Sequence, residues 1–101
     1  MPPTKPTPFT LATITAIKHL TPKIESNPDP LQSIRDSTSL YGLYMQATIG
    51  DYRRPFPTNP DIYERTAWLK WMSHKGMSQA EAQKQYVEMV SRLMAEYGVE
   101  D

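Results

Sequence analysis

Few side chains in this sequence have types and spacings suited to chemistry. The two histidines, His19 and His74, stand in different helical segments with no carboxylate pair at metal-ligand spacing, so each reads as a surface or helix-end residue. Ser73, Ser78 and Ser91 have no base at a suggestive spacing. There is no cysteine, which removes thiolate catalysis, disulfides and thiolate zinc sites together. No Gly-rich phosphate loop, nucleophile elbow or HExxH is present. The residues therefore point away from an enzyme, and neither cofactor nor metal is expected. Aromatic side chains are more promising: Tyr41, Tyr44, Tyr63, Trp68, Trp71, Tyr86 and Tyr97 fall in three helical segments. The tryptophans read as core. A tyrosine suits either a core, where its hydroxyl needs a partner, or a groove edge, where it can bond a phosphate or stack on a base.

Helices must position these rings. Phe9, Ala12, Ile14, Ala16, Ile17 and Leu20 form a loosely periodic apolar segment, weakened by threonines at 10, 13 and 15. Pro22, Pro28 and Pro30 predict a loop, and "NPDP" then starts a second helix, with Asp29 as N-cap, from about Leu31 to Ile49. Gly50 supplies the left-handed stop. A third helix is expected to open at Asn59 and Pro60 and to end at Gly76, with Lys70, His74 and Lys75 near its negative end. Ser78 and Glu81 form a capping box for the fourth. In it Ala82, Tyr86, Met89, Leu93 and Tyr97 share one face, and Gly98 closes it. With no strand pair and no repeat, the expectation is an all-α bundle of four helices.

Composition bounds the rest. A chain of 101 residues suits one small domain. Eleven basic and eleven acidic side chains cancel, so no global field attracts nucleic acid or an anionic membrane. The opening "MPPTKPTP" lacks the apolar run of a secretory signal, and no segment approaches the roughly 20 apolar residues of a membrane span. Residues 1–8 are expected to be a disordered Pro-rich tail, residues 9–101 the domain, and the cytoplasm its location.

Several motifs together resemble the acyl-CoA-binding protein family: "LYGLYMQATIGD" from Leu40 to Asp51, "AWLKW" from Ala67, "KGMSQAEAQKQY" from Lys75, and the terminal "EYG". Phe9, Ala12 and "IKHL" from Ile17 resemble its first helix, although the interval from Phe9 to Leu20 is one residue longer than usual. The resemblance implies an up-down-down-up four-helix bundle that binds medium- and long-chain acyl-CoA esters, as an expected monomer, without chemical change. It implies a bowl-shaped site with adenine among aromatic rings, the 3'-phosphate held by basic and tyrosine groups, and the acyl chain in an apolar groove.

By position, Tyr41, Tyr44 and Tyr86 match the family's ligand-contacting tyrosines, and Lys18 matches a basic residue before the "HL" pair. Two positions depart from the pattern, since Met45 and Ala67 stand where the family has phosphate-binding lysines. A charge-assisted hydrogen bond is worth roughly 1.5 to 3 kcal/mol, so the two losses weaken binding by about 3 to 6 kcal/mol. Ten buried methylenes supply about 8 kcal/mol in the other direction. Relocated charge is a further source of compensation: from Arg53 to Lys75 there are five basic residues against two acids. Arg65, two residues before Ala67, is the sharpest candidate for a phosphate fork. An acyl-CoA carrier with altered phosphate recognition is thus the leading expectation. Its rival is a degenerate family member serving as a protein-interaction module or binding another lipid. A thioesterase lacks a visible nucleophile and base.

Overall fold

Pro8 opens the first helix, one residue ahead of the expected boundary, because a proline at the first turn needs no N–H partner and Thr7 caps it, its Oγ1 accepting from the Thr10 amide at 3.1 Å. The computed structural model describes residues 5–99; residues 1–4 of the expected tail lie outside them, and Lys5 to Thr7 are exposed. Helix α1 spans Pro8–Thr15. A π-helical turn, Ala16–Leu20, and helix α2, Thr21–Glu25, continue it as one rod.

Two features of this rod depart from expectation. It does not stop at Pro22. The Thr21 amide donates back to the Ala16 carbonyl, five residues away, and Pro22 then falls in the first turn of α2, where its missing donor is harmless. The wide turn also sets the register. A row of residues spaced by four precesses about 40° per step around an ideal α-helix, and a turn that holds more residues takes up that drift. Ala16, Leu20 and Ile24 accordingly all stay buried. This turn falls within the interval from Phe9 to Leu20 that reads as one residue longer than usual.

Helix α3 spans Pro30–Thr48, α4 Ile62–Met72 and α5 Gln79–Glu96. With the rod counted once, these make the expected up-down-down-up four-helix bundle, and no strand occurs among the described residues. Asp29 and Ser78 cap α3 and α5 as their positions predict. At α4 the expectation fails: Asn59 takes a left-handed φ of 59° and turns the chain, so Asp61 becomes the N-cap, accepting from the Glu64 amide at 2.8 Å. That helix ends at Met72, short of Gly76.

Helix α3 is the centre of the bundle, packed on α4, α5 and α2, while α1 lies against α5. Leu40, Leu43, Tyr86, Val90 and Leu93 join the rod's buried row to form the core. The approach of α3 to α4 is closest at Gly42, where an added Cβ would lie 2.8 Å from the backbone of Lys70. Polar bonds pin the ends of the bundle. At one end Trp71, 2 % exposed, donates its indole N–H to the Gly50 carbonyl at 2.7 Å. Asp51 there accepts from the Gln46 amide nitrogen and from the Gly76 N–H, each at 2.9 Å. At the other, the Tyr97 hydroxyl donates to buried Asp36 at 2.6 Å and accepts from Asn27 at 3.0 Å.

Candidate ligand-binding site

The rod and α3 enclose a cavity of about 500 Å3, within the size range of small-molecule pockets. From the rod come Thr13, Ile17, Thr21 and Glu25, a second row spaced by four that the π turn keeps on one face. Opposite them, α3 presents Ser33, Ser37, Tyr41 and Tyr44 at helical spacing. Ala16, Ile24, Ile34 and Leu40 supply apolar surface, and Tyr63 of α4 and Tyr86 of α5 complete the wall.

Tyr44 and Tyr86 belong to an aromatic trio with Phe9. Phe9 stands edge-on to Tyr86 with centroids 5.3 Å apart, and Tyr44 lies 6.0 Å from each of the other two rings. Such contacts hold the rings in place. Burial pushes the Tyr86 phenol above its ordinary value of 10.0, with the Thr13 hydroxyl partly opposing, so it remains a hydrogen-bond donor at neutral pH. Ile17, Tyr44 and Tyr63 are exposed and form the rim.

The described residues include every lysine, arginine and histidine of the chain, and none of these lines the cavity. Among the described residues, the one carboxylate in its wall is that of Glu25. Of the seven residues singled out from the sequence, Tyr41, Tyr44 and Tyr86 converge and the other four do not. Lys18 is exposed beside Ile17, outside the lining. Met45 is half-buried one turn beyond Tyr41 on α3. Arg65 is exposed and, two residues after Tyr63, projects from the far side of α4. Ala67 is only 3 % exposed; it sits one turn past Tyr63 on the inner side of α4, so its small methyl belongs to the core. The basic excess between Arg53 and Lys75 is likewise not gathered at the cavity.

Trp71 is core as expected, whereas Trp68 is half-buried and packs on Tyr52 and Phe56 of the loop before α4. His19 is exposed. His74 lies in the turn after α4, and burial, then Lys70, lowers its pKa below 6.5, in keeping with a helix-end residue. Sequence reasoning did not single out Ile17, Glu25 or the hydroxyl rows as cavity-lining residues, and it gave Tyr63 only as one of the tyrosines suited to a core or a groove edge. The four-residue spacing from Thr13 to Glu25 was the available signal, but an expected helix end near Leu20 concealed it.

Comparison with known proteins places this geometry among relatives. A family model described as "Acyl CoA binding protein" matches residues 9–90. The "Acyl-CoA-binding protein 2" of Saccharomyces pastorianus is 43% identical over 58 residues, which cover 57% of this chain and 67% of its own. The "Acyl-CoA-binding protein homolog 1" of Caenorhabditis elegans is 39% identical over 59 residues, 58% of this chain and 69% of its own. The crystal structure of Oryza sativa Acyl-CoA-Binding Protein 2 superposes with a TM-score of 0.72 at 26% identity, over 90% of this chain and 89% of that one.

Proposed function

The chain belongs to the acyl-CoA-binding protein family, and from that premise we propose that it binds medium- to long-chain acyl-CoA esters in the cavity between the rod and α3. It carries them as a cytoplasmic monomer and leaves them chemically unchanged. The observation that carries this proposal is the convergence of Tyr41, Tyr44 and Tyr86, the three tyrosines that motif resemblance matches to the family's ligand contacts, in one cavity with an apolar floor. The acyl chain lies against Ile24, Ile34 and Leu40, where each buried methylene contributes about 0.8 kcal/mol. The phosphates stay at the mouth, within reach of solvent and of Lys18 beside Ile17. Phosphate recognition is thereby weaker and more superficial than the family pattern provides.

Carriage without catalysis fits the groups at hand. Ser37 donates to the Ser33 and Ile34 carbonyls at 2.9 and 3.3 Å, and no histidine lines the wall to activate a hydroxyl. Calorimetric titration with palmitoyl-CoA tests the proposal. One-to-one binding with no release of free CoA is expected. Absence of both heat and a mass shift from micromolar to near-millimolar ligand would overturn it, and CoA release would overturn the non-catalytic part.

A further inference from the structure

We propose that the same cavity also takes neutral single-chain lipids, an acyl chain bearing an uncharged hydroxylated head such as a monoacylglycerol, about as well as it takes CoA esters. This rests on the cavity being the acyl site. The head-group preference follows from a wall that is rich in hydroxyls and lined by no cation. Thr13 gives its proton to the Phe9 carbonyl at 3.0 Å, and Ser37 gives its own to the carbonyls of its helix. Both oxygens keep lone pairs that accept hydrogen bonds from a ligand O–H.

Charge acts in the same direction. No lysine, arginine or histidine lines the cavity among the described residues, and Glu25 does. A carboxylate drawn inside loses hydration without a compensating cation, and phosphates held at the mouth gain no ion pair from the wall. An ester and two hydroxyls lose much less, and the phenols of Tyr41 and Tyr86 can donate to the ester carbonyl. Chain burial is common to both ligands, each methylene multiplying the binding constant by about four.

The test is a set of titrations of the 15N-labelled full chain, followed by amide shifts, with 1-monolauroylglycerol, lauroyl-CoA, laurate and CoA, all below their aggregation concentrations. Monolauroylglycerol is expected to bind within about tenfold of lauroyl-CoA, to move the amides of Thr13, Ile17 and Tyr41, and to bind more tightly than laurate. Binding more than tenfold weaker than lauroyl-CoA, or shifts confined to other surfaces, would overturn the inference while leaving CoA-ester binding intact. If monolauroylglycerol binds in the cavity and lauroyl-CoA does not, neutral-lipid binding stands while its parity with CoA esters and the carrier proposal both fall. If neither binds, both fall. Glu25 is exposed at the C-terminal end of α2, where a lysine suits the helix. Glu25→Lys is therefore expected to fold and to shift the affinity ratio toward lauroyl-CoA by up to about fivefold. An unchanged ratio would remove the charge basis of the preference.

Discussion

Met45 and Ala67 look equivalent as missing positive charges, yet their surroundings differ. Met45 is half-buried one turn beyond Tyr41, so a lysine there can bury its stem and carry its ammonium to the mouth of the cavity. Met45→Lys is expected to tighten palmitoyl-CoA binding by about threefold to tenfold at low salt and less at high salt. Unchanged calorimetric affinity at both salt concentrations would place the phosphates elsewhere. Ala67 is 3 % exposed, and a lysine at that position must force its stem into the α3–α4 contact. Ala67→Lys is expected to lower stability by about 1 to 3 kcal/mol in denaturant unfolding, whatever it does to affinity. Tyr97 bears on stability through its hydrogen bonds to Asp36 and Asn27. Removing its hydroxyl deprives buried Asp36 of a 2.6 Å donor, so Tyr97→Phe should cost about 1 to 3 kcal/mol. Burial first, then the Asp36 carboxylate, raises the Tyr97 pKa above 10.0. The folded chain thus holds that proton more tightly than the unfolded chain does. Its contribution is complete below about pH 10 and is lost as pH rises through the folded value, a loss that the Phe variant should lack.

At the level of elements, Asp51 links the end of α3 to the turn that precedes α5. Its pKa lies below the ordinary 3.8, chiefly through the Gln46 hydrogen bond and then the Gly76 amide, with burial opposing and Arg53 and Lys75 assisting. A depressed folded pKa means that this contribution is present above pH 3.8 and disappears as pH falls below it. Asp51→Asn is expected to be less stable at neutral pH and to show a flatter acid limb between about pH 4 and 2; parallel acid limbs for the two proteins would remove Asp51 from the bundle's acid response. Such ties were only partly legible in the sequence. Asp29, Gly50 and Ser78 announce helix ends because a cap is a local event. The π turn is not local: its register is settled by the requirement that Ala16, Leu20 and Ile24 all reach the core while Thr13, Ile17 and Thr21 all face the cavity. Asn59 misled for a similar reason, since its left-handed φ makes Asp61 the better cap. Tyr41, Tyr44 and Tyr86, singled out by motif resemblance, line one cavity. Tyr63 and Glu25 depend on how the rod and α4 pack on α3, which no single segment encodes.

Across the whole molecule, the cavity lies at the junction between the rod and α3. Behind it α1 and the π turn rest on α5, so the rod reaches the bundle from that side. A ligand seated between the two walls adds contacts to both elements at once, and it does so only in the folded chain, because the rows of Thr13 and Tyr41 do not exist as facing surfaces once the helices separate. Ligand binding is therefore coupled to global unfolding. At a free concentration of about 100 times Kd the folded state gains about 2.7 kcal/mol. For a domain of this size each kcal/mol moves Tm by about 4 to 8 °C. Palmitoyl-CoA at that ratio should raise Tm by roughly 10 to 20 °C in a thermal scan, with hydrogen-exchange protection increasing in α2 and at the start of α3. CoA without an acyl chain should give a much smaller shift, because it forgoes the burial against Ile24, Ile34 and Leu40. An equal shift with CoA alone would move the stabilising contacts to the nucleotide and away from the apolar floor, and no shift with palmitoyl-CoA would separate this cavity from binding altogether.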